Sequence, residues 1–299
     1  MIRPPRRNEK LTNIINKIGR KKLVSLELNP YIPIDYRNVC ELNPSFCSVV
    51  WLARRNETEN LKLLPPIVIT KKLIELGYTI LIHLPGIFYT EKKMHDILSL
   101  LKIYGVRNIF AMRGGDPHLK IENCDFPFAL DIIKFIRKDF GDYFDIATTG
   151  FPHIHPSSTS AEDDMCNLKK KILFGATLVI TQACVNSTVY LDFSKNCIKY
   201  AIDVPIIYGL SMFRSCKDFM RIFKMSLFVD EEEMLTIQRC IKGPKRKIFL
   251  RNKSKYLVQQ LLNDDLTVGV HLFSRNHFDL IKNVLTEINV MKYKAVLMK

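Results

Sequence analysis

Four stretches of this chain combine residue types that can do chemistry. Glu27 lies in LVSLELN, among apolar neighbours. A carboxyl group withdrawn from water there would rise in pKa towards a value useful for donating a proton, whereas a surface glutamate would do nothing of the kind. In MRGGDPH (Met112–His118), the glycines, Gly114 among them, let the backbone approach a flat or phosphorylated ligand while Arg113 and Asp116 stay in place. A plain turn with a local ion pair would look the same. TTGFPHIHP (Thr148–Pro156) packs His153 and His155 between prolines, which reads as a rigid ligand-contacting loop or a structural turn. A metal there would need further ligands, and none is near. In AEDDMCNLKKKILFGATLVITQ (Ala161–Gln182), Asp164, Asn167 and Lys171 stand at i, i+3 and i+7, on one helix face. That face is either solvated or grips the hydroxyls and phosphates of a cofactor, with Lys171 or Lys170 pairing an anion.

The elements that must position these residues alternate along the chain. Strands are expected at Leu23–Leu28, Phe46–Ala53, Tyr78–Leu84, Asn108–Arg113, Phe144–Thr149, Thr177–Gln182, Pro205–Gly209 and Thr267–Leu272. Helical patterns separate them near Ile67–Gly77, Glu91–Gly105, Phe126–Phe140, Ala161–Gly175, Ser187–Ala201, Ser215–Phe228, Glu231–Cys240 and Leu257–Leu262, with a last one at Phe278–Ile288. Eight strands, each followed by a helix, predict a single (β/α)8 TIM barrel over residues 23–299, preceded by a basic arm, residues 1–22. The first crossover, Asn29–Pro44, is proline-rich and a poor helix. A doubly wound sheet would want a glycine-rich phosphate turn after its first strand, and LELNPYIP supplies none. In a barrel, chemistry gathers at the C-terminal strand ends, which here carry Glu27, Val50 with Trp51, His83, Arg113 with Asp116, Thr148 to His155, Gln182, Tyr208, and His271 with Phe273. Successive strand ends lack paired carboxylates, which argues against glycosidase chemistry and against a hard-metal site.

Composition sets the outer bounds. With 47% hydrophobic and 25% charged residues, 12 Gly and 14 Pro, the chain is an ordinary globular sequence, not a disordered, collagenous or coiled-coil one. No apolar run reaches the ~18 residues of a membrane span, and MIRPPRRNEK has no signal-like apolar stretch. A soluble cytoplasmic protein is expected, with a mitochondrial address in the arginine-rich N-terminus left open. The eight cysteines form no CxxC pair, so neither a disulfide framework nor a metal site is expected. The net charge of +15 points to an anionic partner. It concentrates in the first 22 residues, with eight basic side chains against Glu9, and in Lys242–Lys255, with seven and no acid. A solvated basic face is the preferred reading; nucleic-acid or polyanion binding is a second and attraction of a phosphorylated cofactor or polyglutamylated substrate a third, and a nucleic-acid partner is not expected.

Taken in order, these segments resemble methylenetetrahydrofolate reductases, the flavin-dependent barrel enzymes of one-carbon metabolism. VSLELNP is similar to the family's SFEFFPP, SVVW to SVTW, IHLPG to HLTC, and MRGGDPH to LRGDPP with one extra glycine. FGDYFDIATTGFPHIHP resembles FGDYFDICVAGYPKGHP of the animal members, LKKKILFGATLVITQ resembles LKEKVSAGADFIITQ, and VGVHLFSRN resembles GLHFYTLNR. The resemblance implies reduction of 5,10-methylenetetrahydrofolate to 5-methyltetrahydrofolate by NAD(P)H through FAD, with NADPH favoured by the animal-like motifs. It makes Glu27 the general acid and Asp116 an acid near flavin and folate. It gives FAD to His83, Arg113, Gly114, Asp116, Phe151, His155, Asp164, Asn167, Lys170 and Lys171, and folate to Gln182 and Arg275. It implies no metal, and oligomeric state stays open. Departures fall mostly on folate contacts: Ala183 and Cys184 replace an aromatic pair, and His277 replaces an arginine that Arg275 could stand in for. A divergent paralogue that binds FAD or folate without turnover is the alternative. The chain stops at Lys299, so no response to S-adenosylmethionine, the effector of a second domain in animal members, is expected.

Overall fold

Runs such as LVIT and ILIHLP are apolar almost throughout, the pattern of parallel strands covered on both faces, and in the computed structural model these and six others form one closed sheet. The structure describes residues 8–52, 60–114, 124–155, 157–223 and 245–288, with 235, 239 and 290. The strands are β1 (Leu23–Leu28), β2 (Cys47–Val49), β3 (Ile80–Pro85), β4 (Asn108–Met112), β5 (Asp145–Gly150), β6 (Leu178–Thr181), β7 (Ile206–Ser211) and β8 (Gly269–Phe273). Each pairs in parallel with the next, and β8 returns to β1 through Leu23–Gly269 and Ser25–His271. Helices on the outside supply the crossovers that parallel strands require: α2 (Tyr36–Leu42), α3 (Pro65–Glu75), α4 (Glu91–Ile103), α5 (Ala129–Phe140), α6 (Ala161–Leu173), α7 (Ser187–Lys199), α8 (Cys216–Phe223), α9 (Arg246–Leu262) and α10 (Phe278–Glu287). The fold is the single (β/α)8 barrel expected from the alternating pattern.

Two apolar cores result. The larger lies between strands and helices. The smaller fills the barrel from Leu23, Phe46, Leu81, Phe110, Ala147, Leu178, Ile180 and Ile207, and is completed by Leu11 and Ile15. Those two belong to α1 (Leu11–Ile18), inside the stretch set apart above as a basic arm. Leu11, Ile14, Ile15 and Ile18 stand at i, i+3, i+4 and i+7, a helical face that the surrounding lysines and arginines mask when charge alone is counted. The helix closes the floor of the barrel. Its first backbone amides donate to side chains at the starts of two strands: Leu11 N to Asn108 Oδ1 (2.7 Å) and Thr12 N to Asp145 Oδ2 (2.8 Å).

Two other elements differ from expectation. The proline-rich first crossover holds α2, capped by Asp35, which accepts from Arg37 N (2.9 Å), and ended by Asn43 in the left-handed region at φ 46°. Local capping thus overcomes poor propensity. The helix expected at Leu257–Leu262 begins eleven residues earlier, at Arg246, because Leu250, Ser254, Leu257, Val258 and Leu261 make one buried face. Much of the second basic cluster is therefore the outer side of α9, where Arg251 and Lys255 both pair with Glu287. Most of the helix expected at Glu231–Cys240 lies outside the described residues. Among the described residues, no helix is long and apolar enough to cross a membrane.

Candidate functional site

Inward-facing side chains change character along the barrel axis. Above the apolar layer, Ser25 of β1, Ser48 of β2, His83 of β3 and His271 of β8 form a buried polar layer. Ser48 Oγ lies 3.1 Å from His83 Nε2 and 3.0 Å from His271 Nε2, and Ser25 Oγ lies 2.8 Å from His271 Nδ1 and 3.3 Å from the Val270 carbonyl. One assignment satisfies all four contacts: His83 Nε2–H donates to Ser48, Ser48 to His271 Nε2, His271 Nδ1–H to Ser25, and Ser25 to Val270. Both imidazoles stay neutral, since burial lowers each pKa to about 3. Aromatic rings of the apolar layer pack against both: Phe46 stacks on His271 at 5.6 Å, and Phe110 meets His83 edge-on at 5.0 Å.

Glu27, two residues after Ser25 and so on the same side of β1, faces the mouth above this layer. Its carboxylate, His83 and His271 each place one potential ligand atom within 4.8 Å of the others. Burial raises its carboxyl to about 7, opposed by the positive charge of Arg275. The backbone is held as well, because the Ser274 hydroxyl donates to the Glu27 carbonyl. Arg275, in the left-handed region at φ 46°, is exposed and pairs with Asp218 (3.2 Å) in a shallow pocket that also includes Arg214, Arg221, Phe273 and His277.

A second group assembles across the mouth at the ends of β4 and β5 and on α6. Lys171 donates to the Thr149 carbonyl (2.9 Å), and burial lowers its ammonium pKa to about 8, opposed by Asp164. Asp164 accepts from Ser158 Oγ (3.1 Å), and burial raises its pKa. His155, pushed down by burial, feels Asp164, Lys171 and Arg113 in turn. Its ring stands edge-on to Phe151 at 4.5 Å. Gly114 has φ +77°, and a Cβ there would meet Pro85 Cβ at 2.6 Å, so that turn admits only glycine.

The structure therefore brings Arg113, Phe151, His155, Asp164 and Lys171 together, and separately Glu27, His83 and Arg275. Asn167 is exposed and donates to Asp163 Oδ1 (3.3 Å), and Lys170 is exposed on the same helix, so these two are not gathered with the rest. Gln182 reaches the β6 end, where its side chain accepts from the Ala183 amide (3.0 Å). Asp116 lies outside the described residues. The sequence reading placed His271 at a strand end without giving it a role, and passed over Ser25 and Ser48. The signal available for two of them is period-two alternation, which puts Ser25 with Glu27, and His271 with Phe273, on the inner face; Ser48 sits in a strand of three residues, too short to show it.

Polar groups gathered at the C-terminal mouth over a closed apolar floor define a barrel whose working end is that mouth. The methylenetetrahydrofolate reductase family model matches residues 34–289, and the chain belongs to this family. It is 30% identical over 192 residues to methylenetetrahydrofolate reductase (NADH) 1 of Zea mays, covering 60% of this chain and 32% of that protein. It is 32% identical over 209 residues to the 5,10-methylenetetrahydrofolate reductase of Buchnera aphidicola from Acyrthosiphon pisum, covering 68% of each. The chain thus spans about a third of the plant relative and two thirds of the bacterial one. A Clostridium thermocellum protein that binds two copies of 5-methyl-5,6,7,8-tetrahydrofolic acid superposes with a TM-score of 0.61 at 16% identity, over 95% of this chain and 99% of that one. That likeness speaks for the fold.

Proposed function

We propose that this barrel reduces 5,10-methylenetetrahydrofolate to 5-methyltetrahydrofolate, with a reduced pyridine nucleotide as electron donor and FAD as cofactor. The observation that carries the reading is the seat of Glu27: a partly buried carboxyl at the mouth of a barrel of this family, above neutral imidazoles. The folate ring opens only if the departing nitrogen is protonated, leaving an electrophilic iminium on the substrate. A carboxyl that burial raises to about 7 keeps its proton in about half of the molecules at neutral pH, while the two imidazoles below it stay neutral.

The donor set opposite suits FAD. Lys171 and Arg113 bring positive charge for a diphosphate, Asp164 an acceptor for ribityl hydroxyls, and Phe151 and His155 flat rings at the same end. When bound, FAD supplies hydride transfer between nicotinamide and folate, chemistry that belongs to the cofactor. The chain's own residues bind and orient it, and hold the proton at Glu27. On this reading Gln182 and Arg275, at the ends of β6 and β8, would contact folate, Gly114 would allow close backbone approach, and Asp116, outside the described residues, would be the acid near flavin and folate.

Rapid-mixing measurement of the two half-reactions of E27Q tests this. The amide keeps size and hydrogen bonding but delivers no proton. Flavin reduction by NAD(P)H should stay within a few-fold of the parent, and reoxidation by methylenetetrahydrofolate should fall by the ~10²–10⁴-fold typical of a lost general acid. Loss of both halves together would assign Glu27 to flavin placement or folding instead.

A further inference from the structure

The buried layer below Glu27 has a composition that proton delivery alone does not require. Proton delivery needs one carboxyl; the barrel adds two neutral histidines whose ligand atoms, with the carboxylate, all lie within 4.8 Å of one another. Two imidazoles and one carboxylate form the donor set of open-sided transition-metal sites. Ligands on a tetrahedral zinc sit roughly 3.4 Å apart, given bonds of about 2.0–2.1 Å, so the three groups need to close by little more than an ångström. His271 is prepared in the way metal-bound histidines are: its Nδ1 side is held by Ser25 at 2.8 Å, leaving the Nε2 lone pair turned towards Ser48 and the cluster. The Ser48 hydroxyl, which hydrogen-bonds to that lone pair, can rotate away at the cost of one hydrogen bond.

We infer that Glu27, His83 and His271 form a binding site for a single divalent transition-metal ion of the zinc class. Softer thiolate ligands are absent from this cluster, and three protein ligands leave room for a fourth, a water or a substrate atom. An ion there takes the carboxylate as ligand, so the same oxygen cannot carry a proton. Occupation by metal and delivery of the proton are then mutually exclusive, and zinc is an inhibitor of the folate half-reaction. This consequence rests on the reductase reading; the site itself does not.

The experiment titrates Zn2+ into the full chain, stripped of flavin and with accessible thiols blocked, by calorimetry, and repeats it with Co2+ read by visible absorption. One ion per chain is expected, with cobalt bands of a four-coordinate nitrogen–oxygen site. H83A and H271A should abolish stoichiometric binding. S25A, which removes only the group orienting His271, should weaken it roughly ten- to a hundredfold, with circular dichroism showing each variant folded. No binding, binding unchanged in H83A and H271A, or thiolate-to-cobalt charge transfer would each overturn the assignment. Zinc binding that appears as expected in a protein lacking folate-dependent flavin reoxidation would uphold the site and sink only the inhibition.

Discussion

Lys171 occupies a position that costs the fold something and that the cofactor reading explains. Its ammonium is pushed from the ordinary 10.5 down to about 8 by burial, with Asp164 as partial compensation. The unfolded chain therefore binds more protons than the folded one between about pH 8 and 10.5, and stability rises with pH across that window. Below pH 8 the whole penalty is present. Lys171→Met removes the charge while keeping the bulk of the stem, so at pH 7 it should stabilise the protein by on the order of 1 kcal/mol once the lost bond to Thr149 is counted. The gain should shrink as the pH climbs towards 10. Urea melts at the two pH values measure this. The same variant should retain FAD roughly ten- to a hundredfold less tightly, as for loss of a charge-assisted contact of ~1.5–3 kcal/mol. Unchanged FAD retention would remove Lys171 from the cofactor site.

At the scale of elements, the eight strands are legible in the sequence to within a few residues, because strands buried on both faces are short, mostly apolar segments that alternate with longer amphipathic ones; β-branching alone would mislead, since the IVIT run of Ile67–Thr70 is helical. The site was legible where it sits on those strands. Glu27 and His83 follow from alternation, whereas the bond of Ser48 to two histidines joins residues from three strands and has no local trace. Helices were less legible. In α1 and α9 the apolar face is one stripe among many charges, and charge counting hides it. The two faces of α9 can be told apart by substitution. Leu257→Ala, at a buried position, should cost about 2–5 kcal/mol, and Arg251→Gln, at the ion pair with Glu287, less than about 1 kcal/mol. Denaturant midpoints compare them directly. A large loss in R251Q would mean that the basic outer face does more than sit in solvent.

For the molecule as a whole, the net charge of +15 outweighs any single pair. An anionic cofactor approaches through the summed field, which salt screens over a Debye length of about 8–10 Å. The association rate of FAD with the stripped protein should fall several-fold between about 20 and 200 mM salt, while its dissociation rate, set by short-range contacts, changes far less. Stopped-flow quenching of flavin fluorescence reads both. An association rate indifferent to salt would mean that the excess charge lies away from the mouth.

The helix that seals the floor is the first described element to leave the ribosome, yet its anchors are made late. Leu11 waits for Asn108, 97 residues on, and Thr12 for Asp145, 133 residues on. Until β4 and β5 exist, α1 has an apolar face and nowhere to put it. Ties this distant in sequence are closed after most of the chain has ordered, since loop entropy must be overcome before the contact rewards it. Leu11→Ala should therefore accelerate unfolding and leave the refolding rate nearly untouched, a φ-value close to zero. The nascent barrel then has a period in synthesis when α1, made before any of the strands, is unprotected, and a chaperone or protease that samples the emerging chain meets it before the fold can claim it.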